Sequence, residues 1–399
     1  MNSTSQASVR LAQRANKMLH SLTTQIQKQK NELCSDIFHQ TYSKAALSKL
    51  PKLTRASVDY AINEMESQGY IFEKRNAGST QKYALTLKNI ADIYHFRGVP
   101  KYRERHKEAF CLFVGNLKGG VSKTVSTVSL AHSLRAHPTL LMEDLRILVI
   151  DLDPQSSATM FLSHYHSIGL VETTSAQAML QNISREELIN EFILPSVIPG
   201  VDVIAASIDD AFITSNWEQL CKKYLKDQNP YAILRENIIN KLLNDYDFIF
   251  IDSGPHLDAF LKNAIAAADL LMTPIPPAQV DFHSTLKYLT RLPELIELIN
   301  NSGYKCRFKG NIGFMSKLSN KPDHRLCHSL AKEIFGGDML DVNLPRLDGF
   351  ERCGESFDTV ISVNPATYVG SLDALKKAES AAEDFAKAVF DRIEFIRMN

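Results

Sequence analysis

Fifteen consecutive residues, Phe110 to Thr124, pass from an unbroken apolar run through two adjacent glycines into a helical pattern. No other stretch of the chain leaves its fold so few choices. The run Phe110 to Val114 suits a parallel strand covered on both faces. After it, Val125, Val128, Leu130, Ala131 and Leu134 recur at helical spacing. A strand, a glycine turn and a helix start, in that order, make a phosphate-binding loop. Backbone N–H groups approach the anion, the helix end favours negative charge, Lys123 reaches the β- and γ-phosphates, and the Thr124 hydroxyl ligates Mg²⁺. A glycine turn with solvated lysines is the plainer alternative, and the strand and helix on either side weigh against it. The standard pattern G-x-x-x-x-G-K-[ST] is not met, because Leu117 and Ser122 hold its two glycine positions.

What stands instead is Lys118-Gly119-Gly120-Val121-Ser122-Lys123-Thr124. This resembles the deviant Walker A loop of the ParA/MinD ATPases, K-G-G-x-x-K-[ST], with Ser122 where most members carry glycine. The resemblance implies ATP or ADP bound with Mg²⁺ over Lys118 to Val125. It also implies that Lys118 crosses a dimer interface to the partner's nucleotide.

Further apolar runs end in acids. Leu145 to Ile150 leads into Asp151-Leu-Asp-Pro-Gln155, and Tyr246 to Ile251 ends at Asp252, followed by Ser-Gly-Pro-His256. Ligand-binding groups in open α/β sheets sit at such carboxyl ends, although a strand-ending Asp can be a mere cap or turn residue. The run before Asp252 has the Walker B pattern, in which the acid holds Mg²⁺ through water. By resemblance, Asp151 lies near the metal, Asp153 orients the attacking water, and Pro276, Pro277 and Asn311 line the base. Strands expected near 110, 146, 202, 247, 270, 311 and 341 alternate with helices. That alternation predicts a doubly wound, mainly parallel sheet.

Composition sets the frame. The 399 residues are 44% hydrophobic and 23% charged, enough for a large core and two or three domains. No apolar stretch is long enough to span a bilayer and the start carries no signal pattern, so the expectation is a cytoplasmic protein. Six cysteines (34, 111, 221, 306, 327 and 353) without C-x-x-C spacing read as reduced, buried thiols. Net charge is zero but unevenly spread: residues 1–110 hold 18 Lys+Arg against 9 Asp+Glu, leaving 27 against 36 in the rest. A basic module on an acidic body is the footprint of a nucleic-acid-binding appendage, or of a solvated basic face.

The module's own pattern sharpens that choice. Leu11, Ala15, Met18, Leu22 and Ile26 step by four and three, the seam of a coiled coil that needs a partner. Packing of the same helix on its own domain stays open from three heptads. A short helix from Ser43 stopped by Pro51, and a second from Thr54 to Gly69, have helix-turn-helix punctuation. Arg55, Ser57 and Asn63 are left to enter a major groove. Two β-prone runs around the Asn76-Ala-Gly78 turn read as a wing, with Lys74, Arg75 and Lys82 at phosphates; a solvated hairpin is the alternative. The boundaries follow: 1–36 a dimerising helix, 37–96 a winged helix-turn-helix domain, 97–109 a charged linker, and 110–399 the ATPase body. In that body a strand from Met339 to Leu344 precedes a loop in which Arg346 and Arg352 flank Gly349. Resemblance puts a DNA-binding surface there.

The long first helix and winged extension resemble the large plasmid and prophage ParA proteins. That resemblance implies a homodimeric partition ATPase that binds nucleoid DNA without sequence preference. It further implies an operator bound to repress its own operon, and a ParB-like centromere-binding partner that stimulates hydrolysis. A nucleotide-sensing repressor without a transport role is the alternative. A metabolic P-loop enzyme fits less well, since it needs no operator-binding arm.

Overall fold

The computed structural model describes residues 3–32, 38–77, 80–163, 173–181 and 183–398. Cys34, Gly78 and residues 33–36 lie outside the described residues, as does the side chain of Ile26. The first helix, Ser3–Glu32, leaves Leu11, Met18 and Leu22 at 66, 61 and 51% exposure. Among the described residues, this face is not packed on the chain's own domain.

Two short helices follow, Lys44–Leu47 capped by Ser43 and Arg55–Ser67 capped by Thr54. In the second, Val58, Ala61, Ile62 and Met65 are buried, the stripe read from their spacing. The hairpin pairs β1 (Lys74–Ala77) with β2 (Thr80–Tyr83), Ala77 opposite Thr80. Asn76 and Ala77 are thus strand residues, and Tyr70 to Glu73 lie outside β1. The helix Leu87–Phe96 completes the module. The stretch read as a linker holds the helix Tyr102–Arg105 and is anchored rather than loose. Tyr102 is fully buried with its ring 5.2 Å from that of Phe248, and its hydroxyl donates to Glu394.

The body is an eight-stranded sheet. Its strands are β3 (Phe110–Val114), β4 (Ile147–Asp151), β5 (Ile193–Pro195), β6 (Val201–Ile204), β7 (Phe248–Asp252), β8 (Leu270–Ile275), β9 (Asn311–Leu318) and β10 (Leu344–Pro345). Their order is β10-β9-β8-β3-β7-β4-β6-β5, all pairs parallel except β5 with β6. The unbroken apolar runs work because side chains alternate between two covered faces. Phe110, Leu112 and Val114 join the core with Val128, Leu134, Phe385 and Val389, whereas Cys111 and Phe113 join the one with Ile265 and Leu292. Full burial of Phe248 and Phe250 contributes roughly 1.5–3 kcal/mol each. The short antiparallel β5 escaped sequence reading, since three residues give no periodicity and Pro195 suits only an edge.

The C-terminal part departs most from expectation. Met339 forms a lone bridge with Gly313, and the strand is only Leu344–Pro345, because exposed Asp341 interrupts the apolar run. Gly349 and Arg352 lie in a helix, Asp348–Glu355, not in a loop. Glycine is needed there because a Cβ would meet that of Ala378 at 2.6 Å, where this helix crosses the closing helix Leu372–Met398. Among the described cysteines, Cys111, Cys221, Cys327 and Cys353 are buried free thiols, while Cys306 is half-exposed.

Candidate nucleotide site and nucleic-acid interface

Three neighbouring strands deliver the site. Val114 of β3 pairs with Asp252 of β7, and Asp252 with Asp151 of β4, so both acids and the glycine turn arrive at one edge of the sheet. Beyond Val114, Gly120 and Ser122 take left-handed backbone, φ 74° and 73°, before the helix Lys123–Ala136 begins. Ser122 therefore occupies a conformation that glycine adopts more cheaply, which is why glycine is usual at this place. Among the described residues, no N–H of Gly119 to Ser122 donates to a protein acceptor. The loop is open to an anion.

Lys123 is buried, its Nζ 3.1 Å from the Lys118 carbonyl. Burial pushes its ammonium below the ordinary lysine range, opposed by Asp252 and Asp153. A phosphate beside it would favour the charged form. The Thr124 hydroxyl donates to Asp252 Oδ2 at 2.7 Å, and Asp252 Oδ1 is buried with no partner. Burial raises this carboxyl well above the usual range, countered by the Thr124 hydrogen bond and by Lys123. A hydroxyl, a partnerless buried carboxylate oxygen and an open anion loop are what Mg²⁺ with a nucleotide requires, since that ion takes few protein ligands and keeps waters and phosphates. The donor set fits the ion.

Asp151 is engaged otherwise. One oxygen accepts the Asp153 N–H at 3.0 Å, and the other accepts the N–H and hydroxyl of Thr159 at 2.9 and 2.8 Å. With bonds on both oxygens, it shapes the turn that carries Asp153. Burial, then the neighbouring Asp252, raises its pKa. Asp153 accepts the Gln155 N–H at 3.0 Å and lies against Gly254, where a Cβ would stand 3.2 Å from Oδ1. Val125 sits half-buried on the helix's first turn, and Lys118 pairs with Asp281 at 3.3 Å. Pro276 and Pro277 follow β8 at the same edge. Asn311 does not belong there: it begins β9, about 16 Å from Ser316 at an extended strand's rise, and its side chain accepts the Thr273 hydroxyl. The start of a parallel strand lies at the edge opposite the ligand.

The N-terminal module presents its charges differently. Arg55 is exposed at the first turn of its helix, and Tyr60 is 63% exposed on the same element. Ser57 is occupied as the capping-box partner of Thr54, with bonds of 2.9 Å to the Thr54 N–H and carbonyl. Lys74 pairs with Glu66 at 2.9 Å, whereas Arg75 and Lys82 are directly opposed across the hairpin and both exposed. On the body, Arg346 pairs with Glu351 at 3.1 Å and Arg352 with Glu355 at 3.2 Å.

Two family models match in succession, the ParA helix turn helix domain over residues 15–106 and an AAA domain over 111–305. The chain is 72% identical over 390 residues to Plasmid partition protein A of Escherichia coli, spanning 98% of each chain. The chain belongs to the ParA plasmid partition family. A solved structure of a partition protein is 50% identical, with a TM-score of 0.79 over 95% of this chain and 99% of its own. Cobyrinic acid a,c-diamide synthase from Mycobacterium smegmatis, with bound ATP analog and magnesium, has a TM-score of 0.52 at 18% identity over 71% of this chain and 94% of its own, a likeness of fold alone.

This ParA chain is thus a P-loop partition ATPase with a helix-turn-helix domain. Among the described residues, no helix is long and apolar enough to cross a membrane. Sequence reasoning missed several residues of this ParA site. Buried Asn116 accepts the Lys118 N–H and donates to the Pro274 carbonyl and Thr285, tying the loop to β8 and the helix Gln279–Asn301. Ser316 donates to the Val121 carbonyl at 3.0 Å and Lys317 to the Gly120 carbonyl at 2.7 Å. The rule that ligands gather at strand carboxyl ends pointed to the end of β9 and away from Asn311.

Proposed function

We propose that this ParA chain segregates a low-copy plasmid or prophage by an ATP-driven dimer switch. It binds ATP with Mg²⁺, pairs with a second copy, holds nucleoid DNA without sequence preference, and is returned to its resting state by hydrolysis. A ParB-like partner stimulates that step. The reading rests above all on the partnerless Asp252 oxygen beneath an open loop beside the Thr124 hydroxyl.

The loop's N–H groups and Lys123 bind the phosphates, and Thr124 with Asp252 would hold the metal. The ion, when bound, supplies positive charge at the β- and γ-phosphate oxygens. Asp151 fixes the Asp153 turn, and Asp153 orients the attacking water. Lys118 meets the phosphate of the second copy, where positive charge favours the departing phosphoryl group. The exposed seam Leu11 to Leu22 supports a dimer whose paired recognition helices read a palindromic operator. That operator is its own promoter's, and the protein works in the cytoplasm on the nucleoid.

Asp153→Ala is expected to bind ATP normally, to lose turnover by about 100-fold, and to remain on DNA. Full partner-stimulated turnover in that variant removes Asp153 from the mechanism. The repressor alternative separates by titrating full-length protein with random and operator DNA under ADP and ATP. Random-DNA binding that requires ATP supports partition, and operator binding alone supports a repressor.

A further inference from the structure

In the phosphate loop the carbonyls of Lys118, Gly120 and Val121 are bonded, while the N–H groups of Gly119 to Ser122 have no protein acceptor among the described residues. Lys123 takes the carbonyl of Lys118, Lys317 that of Gly120, and Ser316 that of Val121. Adjacent strand residues point to opposite faces, so Ser316 and Lys317 cannot both reach one loop from a regular strand. The backbone solves this with an irregularity. Leu344 and Pro345 of β10 are consecutive, yet they pair with Ser316 and Leu318, leaving Lys317 as the extra residue at φ 53°. Bulges of this kind re-aim a side chain beside a functional site. Left-handed backbone disfavours any residue with a Cβ, and glycine would take this position without strain. What lysine adds over glycine here is an ammonium 2.7 Å from the Gly120 carbonyl.

We infer that Lys317 is a positioning residue of the nucleotide site. Its ammonium, with the Ser316 hydroxyl, holds the Gly120 and Val121 carbonyls turned outward, so that the loop's N–H groups face the phosphates before the nucleotide arrives. The pre-set loop spares the nucleotide the cost of ordering it. The inference rests on the ATP-binding reading given above.

The test measures ATP and ADP affinity with a fluorescent analogue, steady-state turnover and thermal melting for Lys317→Met, Lys317→Gly, Lys317→Arg and Ser316→Ala, beside wild type and Lys123→Ala. Lys317→Met is expected to weaken both nucleotides about tenfold, a 1.4 kcal/mol change, with the loss falling on KM and not kcat. Lys317→Arg restores most of it, and Ser316→Ala shows a smaller loss of the same kind. Lys317→Gly separates the clamp from the strain: it is expected to melt higher than wild type and still bind weakly. Wild-type affinity in Lys317→Gly, or affinity losses that follow melting temperature across the set, overturns the clamp. If wild type itself binds no ATP, the nucleotide reading fails instead. If wild type binds, Lys123→Ala does not and the Lys317 variants match wild type, only the clamp falls.

Discussion

The phosphate loop and the winged hairpin are both rich in lysine or arginine, yet they hold these charges in opposite ways. In the loop, Lys123 is buried against Asp252, and Asp252 leaves an oxygen without a partner. In the hairpin, Arg75 and Lys82 face each other in solvent, with no acid paired to either among the described residues. A buried charge is costly unless it is compensated, so its surroundings state what it waits for. An exposed charge costs little, and its surroundings say little. Like charges directly opposed on a hairpin are the exception, since they repel unless an anion bridges them.

The largest expected effect tests the buried half of that contrast. Lys123→Ala should weaken Mg·ATP by at least about 100-fold, on the order of 3 kcal/mol for removing a charge-assisted hydrogen bond from a dry site. Its folding stability should be unchanged or higher, because an incompletely paired buried ammonium has been removed. Isothermal titration beside a thermal melt reads both. Unchanged ATP affinity would mean that the burial of Lys123 has another cause.

This contrast also explains what the sequence allowed. Most of the strands, the Thr54 cap, the glycine loop and the strand-end acids were legible because each depends on neighbours in sequence: alternation, capping chemistry and a turn. Gly349 was misread as a loop residue because its reason is a helix crossing with Ala378, far away in the chain. Asn311 was misplaced because a strand's composition does not tell its top from its bottom, and only the register with Leu271 does. Ser316 and Lys317 carry no local signature, since their partners lie on the loop, far away in sequence, and the Asn116 amide is likewise tied to the distant Pro274 and Thr285.

The seam between module and body offers a pH test. Glu383 on the closing helix has its carboxyl pushed up from 4.5 to about 7, by burial and then by Glu379 and Asp384. The same two glutamates act on Tyr42 of the module, whose phenol burial pushes up to about 12. A carboxyl that holds its proton to a higher pH when folded stabilises the protein below its folded value, and that contribution is lost as pH rises from 4.5 to 7. Glu383→Gln should flatten the fall in stability across this window by about 1 kcal/mol, after allowing for solvent screening of a partly buried group. Denaturant melts at pH 5 and pH 8 measure it. An equal slope in both proteins would place the proton elsewhere.

The exposed half is tested by salt. Arg75→Ala or Lys82→Ala should reduce the salt slope of DNA binding by roughly one per charge and weaken all sequences alike. Either change should also stabilise the hairpin by a few tenths of a kcal/mol, about 0.2–1 at most, by removing the opposed charge. Arg346→Ala should alter the slope less, because that arginine is already paired with Glu351. Equal slopes for all three variants would erase the distinction between free and paired surface cations.

The smallest effect belongs to Lys118, which lies between the two regimes. It is about one-third exposed and paired 3.3 Å from Asp281, itself in the first turn of the helix Gln279–Asn301. If Lys118 serves the second copy's nucleotide, this ion pair within one chain must break when the dimer forms. A half-exposed ion pair is worth about 0.2–1 kcal/mol, so the pairing resists dimerisation by up to about fivefold without blocking it. Asp281→Asn should therefore tighten ATP-dependent dimerisation by a few-fold while leaving nucleotide affinity of the monomer unchanged, because Lys123 and the loop are untouched. Sedimentation with a non-hydrolysable analogue at low salt reads the shift, and raising the salt to about 0.5 M should erase the difference as screening weakens the pair. Weaker dimerisation of Asp281→Asn would mean that Asp281 contributes to the interface itself instead of holding Lys118 back from it.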